Sequence, residues 1–585
     1  MNMYYTDERN AQIVLSLLKA HGIKKIIASP GTTDICLVAS LMHDDFFEIY
    51  SSAEERSAAY MACGLSAESG EPVVIICTGA TASRNYLPAL TEAYYRKLPI
   101  LAITCSRRSY RVGHNIDQVT DRTQPPKDTV KLSVQVPLVY DYESEWYTVV
   151  TVNKAILELT HRGNGPVHIN LETNYSTNYS VESLPETRVI KRIIPHDSFP
   201  ELSGKKIAIF VGSHLPWSCE LETSVDKFCE CNNAFVICDH TSNYKGKYAI
   251  YGNITGQQTY TKTLFKSKLD LIIHIGDVHA PWYNLESDSV WRVNPDGELR
   301  DTFRKLRYVF EMSELEFFDN YNKSEKYNIE LYREYKQEQE IGEKELNQII
   351  DNLPFSNAWV AAKTEGKLPK NCELHLGIQN SLRFWNFFHV DNSINVFSNV
   401  GGFGIDGSLS SLIGASLCNP NKVFYCVLGD LAFFYDLNSL GNRHIGNNIR
   451  ILLVNNGKGT EFKLEGNPGF LFGDKTDEFI AAGGHYGNQS RDLVKHYAED
   501  LGFEYLSAET KDEYLSVVPA FLESEPKKSI VFEIFTDSSD ENLALTMIRK
   551  CMASDKDLAN AKMKQTVKKV IGDNNVRKIK NIIGK

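Results

Sequence analysis

The chain has 585 residues, 42% of them hydrophobic and 23% charged, with a formal net charge of -11. That length is too great for one hydrophobic core and predicts three or four domains. The acidic balance, with no basic patch in the main body, excludes a nucleic-acid binder, which needs clustered Lys and Arg against phosphates. The 12 cysteines are scattered apart from Cys229 and Cys231, with no C-x-x-C pair of the kind that holds zinc. A reducing, cytoplasmic setting is therefore expected. No stretch approaches the ~18 apolar residues of a membrane span, and small metabolites are the expected partners.

In chain order, short β-branched or apolar runs (Lys25–Ala28, Phe47–Ser51, Val73–Thr78, Pro99–Cys105, Val167–Leu171) alternate with helical patterns such as Asn85–Lys97. This alternation predicts a parallel sheet covered by helices. A second block repeats it with Lys206–Gly212, Ala234–Asp239 and Leu269–Gly276. A third follows with Ile394–Asn399, Lys422–Asp430, Ile449–Asn456 and Ser529–Thr536. Pro- and charge-rich stretches near Leu184–Pro200 and Asn322–Gly342 separate the blocks. The expectation is an α/β protein of three doubly wound parallel-sheet domains, at 1–185, 195–340 and 345–545. A tail at 546–585 follows; from Ala561 to Lys585 it carries eight Lys or Arg, one Asp and isoleucines near helical spacing. It reads as a basic amphipathic helix docked on its own subunit.

The third block carries the strongest chemistry. Gly429-Asp430 closes one predicted strand and Asn455-Asn456 the next, so both lie on the carboxyl edge where open α/β sheets bind ligands. The Asp430 carboxylate, the Asn456 amide oxygen and the Lys458 carbonyl would supply three oxygen ligands to Mg²⁺. Either residue alone more often caps a helix or makes a turn; their joint spacing favours the metal. A competing motif, Gly402-Phe-Gly404-Ile-Asp-Gly407, fits G-x-G-x-x-G with Asp430 as the ribose acid, which keeps a nicotinamide-dependent dehydrogenase open as an alternative.

In the first block the run Ala53-Glu54-Glu55-Arg56-Ser57-Ala58-Ala59 opens a helix and Gly79-Ala80-Thr81-Ala82-Ser83-Arg84-Asn85 follows a strand. These segments resemble the thiamine-diphosphate superfamily of acetolactate synthases and 2-oxo-acid decarboxylases. Ser29-Pro30-Gly31, Ile116-Asp117-Gln118, Ser398-Asn399, Gly404-Ile405-Asp406-Gly407 and Gly429-Asp430-Leu431 narrow the likeness. They resemble the menaquinone-pathway succinyl-enolpyruvyl-hydroxycyclohexene-carboxylate synthases (MenD).

The resemblance implies thiamine diphosphate and Mg as cofactors, with a pyrimidine-binding first domain, a central transhydrogenase-like domain and a diphosphate-binding third domain. It assigns cofactor contacts to Ser29, Pro30, Gly31, Thr78, Asn85, Gly429, Leu431 and Asn456, the activating carboxylate to Glu55 and the wedge beneath the bent cofactor to Ile405. It implies a decarboxylating C–C bond lyase or ligase that passes an acyl carbanion equivalent from a 2-oxo acid to a carbonyl acceptor. A simple 2-oxo-acid decarboxylase and a MenD-type synthase are the alternatives within the superfamily; a subunit that has lost turnover is disfavoured by the presence of Glu55. A homodimer or dimer of dimers sharing its sites is implied, and no FAD. The family's carboxylate-binding arginines are replaced by Thr33, Val400 and Trp385, so a neutral, hydroxylated acceptor with a small 2-oxo acid donor is expected. His114 and Glu461 are candidate proton donors, and His114, Gln118, Trp282, Trp385 and Phe462 candidate substrate contacts.

Overall fold

A computed structural model describes residues 4–202, 204, 206–280, 285–324, 326–485, 489–524 and 527–559. Among them run strands β1 (Lys25–Ala28), β2 (Glu48–Ser51), β3 (Val73–Thr78), β4 (Ile100–Ser106), β5 (Leu132–Val136), β6 (Val167–Glu172) and β7 (Lys191–Ile193). There follow β8 (Ile207–Val211), β9 (Ala234–Cys238), β10 (Ala249–Tyr251), β11 (Leu269–Ile275), β12 (Ser287–Val293) and β13 (Leu306–Phe310). The last are β14 (Glu373–Leu376), β15 (Asn395–Phe397), β16 (Phe424–Gly429), β17 (Ile449–Asn455), β18 (Glu504–Ala508) and β19 (Ile530–Phe535). They build three parallel sheets of six, seven and six strands flanked by helices, the α/β class expected. No helix among the described residues is long and apolar enough to cross a membrane.

Contacts gather the chain into two compact units, residues 1–199 with 290–312, and residues 200–289 with 313–585. The first unit contains the sheet ordered β2-β1-β3-β4-β6-β5 and the neighbours β13 and β7. The second contains β10-β9-β8-β11 and the sheet ordered β15-β14-β16-β17-β19-β18.

Parallel strands covered on both faces need apolar side chains at successive positions, not alternate ones. β3 (VVIICT) buries its first five residues, and β4 (ILAITCS) and β17 (IRILLVN) bury all of theirs. Along β3 the side chains alternate between two cores: Val74 and Ile76 join one cluster, Val73 and Ile75 the other. Truncating one of them, as in Ile75→Ala, would cost about 2–5 kcal/mol. Helix starts are marked by side-chain caps: Glu54 accepts from the backbone of Arg56 and Ser57 at 3.1 and 2.9 Å to open helix Glu55–Ser69. Ser356 opens helix Asn357–Thr364 in the same way.

Relabelled within each sheet, the first and third share one strand order, 2-1-3-4-6-5. In such a sheet the connections depart in opposite directions on either side of the first strand, leaving a crevice at the carboxyl ends of strands 1 and 3. In the first sheet that crevice lies between β1 and β3; in the third, between β14 and β16. The basic stretch 561–585 lies outside the described residues; helix Ser538–Ile548, capped by Asp537, is followed by a further helical turn at 555–559 that opens with Ser554 accepting the Asp557 N–H at 3.2 Å.

Candidate cofactor site

Around the first crevice, Ser29 follows β1, and its backbone N–H donates to Ile76 O at 2.9 Å. Gly31 passes so close to its neighbours that a Cβ there would lie 2.6 Å from Asp34 Oδ1 and 2.8 Å from Thr78 Cβ. Glu55 stands in the first turn of its helix, where the positive end of the dipole favours a carboxylate. Thirty residues further along the chain, Asn85 ends the short helix after β3, and its Nδ2 donates to Glu55 Oε2 at 3.1 Å. That bond joins the two segments singled out from the sequence and leaves the other Glu55 oxygen available. Thr33 is buried, with its hydroxyl donating to Cys105 O at 2.6 Å and paired with the Thr78 hydroxyl. Asp34 is buried as well, and neither of its carboxyl oxygens has a hydrogen-bond partner. Burial, and then the charge of Glu55, pushes its pKa up to about 6.

Around the third sheet, register pairs Gly429 with Val454, so Asp430 and Asn456 leave the carboxyl ends of adjacent strands. Asp430 is 5% exposed and accepts the Leu431 N–H at 2.8 Å. Burial, only partly offset by backbone N–H groups, pushes its carboxyl up to about 7. The Asn456 Oδ1 is buried without a hydrogen-bond partner, and a Cβ on Gly429 would meet nothing within 4 Å. The turn carrying Asn456 is held from behind: Asn455 Nδ2 donates to Glu533 Oε1 at 2.7 Å, and Asn455 Oδ1 accepts the Gly457 N–H at 3.1 Å. The Tyr505 hydroxyl donates to the other Glu533 oxygen at 2.8 Å. Ile405 is half-buried and packs against the core cluster to which Leu428 and Phe433 belong.

The glycine motif does not form a dinucleotide site. Its loop follows β15, whereas Asp430 follows β16, and β14 lies between those two strands; a ribose acid belongs on the strand next to the glycine turn.

Comparison with known proteins decides among the remaining readings. Residues 9–125 match the thiamine pyrophosphate enzyme N-terminal TPP-binding domain. The 2-succinyl-5-enolpyruvyl-6-hydroxy-3-cyclohexene-1-carboxylate synthase of Bacteroides thetaiotaomicron is 30% identical over 579 residues, 92% of this chain and 97% of its own. The chain belongs to the thiamine-diphosphate enzyme family of these synthases. The synthase of Phocaeicola vulgatus is 28% identical over 591 residues, 92% of this chain and 98% of its own. The synthase of Flavobacterium psychrophilum is 27% identical over 562 residues, 93% of this chain and 98% of its own.

As a member of this family the protein is a thiamine-diphosphate-dependent enzyme of the carboligase and decarboxylase type, with a divalent metal as the second cofactor. The residues present fit both. A buried carboxyl with no cation beside it and a buried amide oxygen with no donor, on adjacent strand ends, are what a hard cation with diphosphate oxygens would satisfy.

The substrate candidates are placed unevenly. His114 and Gln118 lie exposed on a loop with positive φ at Gly113, Asn115 and Gln118. Arg107 pins that loop by a fork to Asp117 at 3.0 and 3.3 Å, a contact that sequence reasoning missed. Glu461 is committed to Arg383, whose Nη1 and Nη2 reach its two oxygens at 2.6 and 3.1 Å. Phe462 is 38% exposed beside Gly459 and Gly469. Trp385 is 1% exposed, packed in the core beside β14, with its Nε1–H donating to Asn357 Oδ1 at 3.2 Å; it faces the interior and not a substrate. A tryptophan at that helix position fills the space between helix and sheet. Trp282 lies outside the described residues.

Proposed function

We propose that this enzyme decarboxylates a small 2-oxo acid and transfers the resulting acyl unit to a carbonyl acceptor. The observation that carries this reading is the pair of half-sites at sheet edges: Glu55 bonded to Asn85 at one, Asp430 beside Asn456 at the other. When bound, thiamine diphosphate supplies a thiazolium carbon made nucleophilic by proton loss and a cationic ring that takes up electrons as carbon dioxide leaves. Glu55 would hold the proton on the pyrimidine nitrogen through its free oxygen, with Asn85 fixing the carboxylate orientation. Asp430, the Asn456 amide oxygen and the Lys458 carbonyl would hold Mg²⁺ and, through it, the diphosphate. Ser29, Pro30, Gly31 and Thr78 would border the pyrimidine half, Gly429 and Leu431 the diphosphate half, and Ile405 would wedge the cofactor bent.

The printed names of the relatives favour a MenD-type synthase as the second reading. Against it stands the loss of arginines at Thr33, Val400 and Trp385; all three are buried, and one is a core tryptophan. The test incubates the purified protein with thiamine diphosphate, Mg²⁺ and a panel of 2-oxo acids, following carbon dioxide release and adducts with added aldehydes and ketones. Turnover of pyruvate-sized donors with ligation is expected. Efficient ligation of 2-oxoglutarate to isochorismate would transfer the assignment to the synthase reading, and no carbon dioxide from any donor would overturn both.

A further inference from the structure

A cavity of about 240 Å³ opens at the third sheet's crevice, lined among others by Gln257, Gln379, Arg383, Asn386, Phe403 and Arg549. Gln379 immediately follows the β14 loop with φ 64, and Phe403, with φ 55, stands two residues before the wedge Ile405. The cavity therefore adjoins the segment that carries Ile405.

Its polar lining is rich in donors. Arg383 is already neutralised by the fork to Glu461 and also donates to Asn380 Oδ1 at 2.6 Å. Arg549 differs: among the described residues no carboxylate pairs with it. It makes only long contacts, 3.4 Å to Glu465 O and 3.5 Å to Gln257 Oε1. Burial, and then the charge of Arg383, pushes its pKa below the ordinary value, only partly offset by the more distant carboxylates of Glu461 and Glu465. Asn386 is 3% exposed; its Oδ1 accepts the His240 N–H at 3.1 Å, while its Nδ2 has no hydrogen-bond partner. Arg549 is locked in place by its own backbone: Thr259 N donates to Arg549 O at 3.0 Å, and Gln258 Nε2 donates to Ile548 O at 3.0 Å.

We propose that this cavity is a carboxylate subsite in which Arg549, from the segment after the last strand, binds a single carboxylate of the substrate, with Asn386 as a second donor. The charge count sets the class. One guanidinium without an ion-pair partner among the described residues meets one negative charge, and a second carboxylate in the same cavity would be repelled by the nearby Glu461 and Glu465. The ligand is thus a monocarboxylate with an uncharged, hydroxylated or apolar body, which replaces the neutral acceptor expected from the sequence. The inference rests on the proposed carboligase reading for its meaning, though not for its measurement.

The experiment titrates cyclohexanecarboxylate, cyclohexanecarboxamide, cyclohexane-1,2-dicarboxylate and inorganic phosphate into the holoenzyme by calorimetry, with Arg549→Gln and Arg549→Lys beside the wild type. Saturable binding of the monocarboxylate is expected, at least tenfold tighter than the amide and the dicarboxylate. Arg549→Gln should weaken it at least tenfold, and Arg549→Lys should recover part of the loss. Equal binding of acid and amide, tighter binding of phosphate or dicarboxylate, or an unaltered Arg549→Gln would each overturn the proposal. Proton exchange at the thiazolium carbon, followed in the same samples, separates the two readings. Normal exchange without carboxylate binding defeats the subsite alone, whereas carboxylate binding without exchange defeats the carboligase reading alone.

Discussion

Asn85 occupies one Glu55 oxygen at 3.1 Å, so the role proposed for Glu55 depends on the acidity of the other. Glu55→Gln should preserve the fold and diphosphate binding yet slow hydrogen–deuterium exchange at the thiazolium carbon by at least about 100-fold; exchange at the wild-type rate would remove Glu55 from the chemistry. Asp430→Ala should weaken Mg²⁺-dependent thiamine diphosphate binding at least about tenfold, the scale of one charged contact, measured by calorimetric titration with and without the metal. Asp34 has a pH signature. Its folded pKa, about 6, lies above the unfolded value, so the folded state binds more protons between about pH 4 and 6 and loses stability as pH rises through that window. Without cofactor, Asp34→Asn should therefore stabilise the protein at pH 7, by up to roughly 3 kcal/mol, and change it little at pH 3.5; equal effects at both pH values would mean that the carboxyl is not strained by burial. Glu55, Asp430 and Asn456 were legible because they sit in motifs at strand ends. Asp34 was not, because its burial and missing partners arise from β3 and the close approach of Gly31.

At the scale of the element, the turn after β17 is held by a carboxylate that nothing in its own segment announces. Glu533 is 0% exposed and accepts both Asn455 Nδ2 and the Tyr505 hydroxyl. Glu533→Gln puts a donor where two donors already point, so it should cost about 1–3 kcal/mol in denaturant unfolding and weaken metal-dependent cofactor binding several-fold. Tyr505→Phe should do less on both counts, and unchanged values for both variants would show that the turn holds itself. The strands themselves were legible, since buried parallel strands are apolar at every position: β1 and β3 have the bounds expected from sequence. Pairings between distant segments were not. Arg383 and Glu461 are 78 positions apart, and Arg549 and Gln257 are 292 apart. The burial of Trp385 was not legible for the same reason, because motif spacing does not reveal which helix face meets the sheet.

At the scale of the molecule, the homodimer implied by the family resemblance would have sites that draw on two subunits. Mixing an inactive Glu55→Gln variant with an inactive Asp430→Ala variant should then restore some activity after subunit exchange, because one of the two mixed interfaces carries both intact halves; no recovery in verified heterodimers would place each site within one chain. The division into contact units bears on how such material is made. The first unit is not one continuous piece of chain: it ends at 199 and resumes at 290–312. β7 pairs in parallel with β13, and Arg188 pairs with Asp301 at 2.7 Å, so an N-terminal piece stopping at 199 lacks the partners of its own last strand. On the ribosome this unit cannot close until residue 312 has emerged, by which time the whole intervening segment 200–289 has also been made. Gene fragments cut at 199 should accordingly yield an exposed, unpaired strand prone to aggregate.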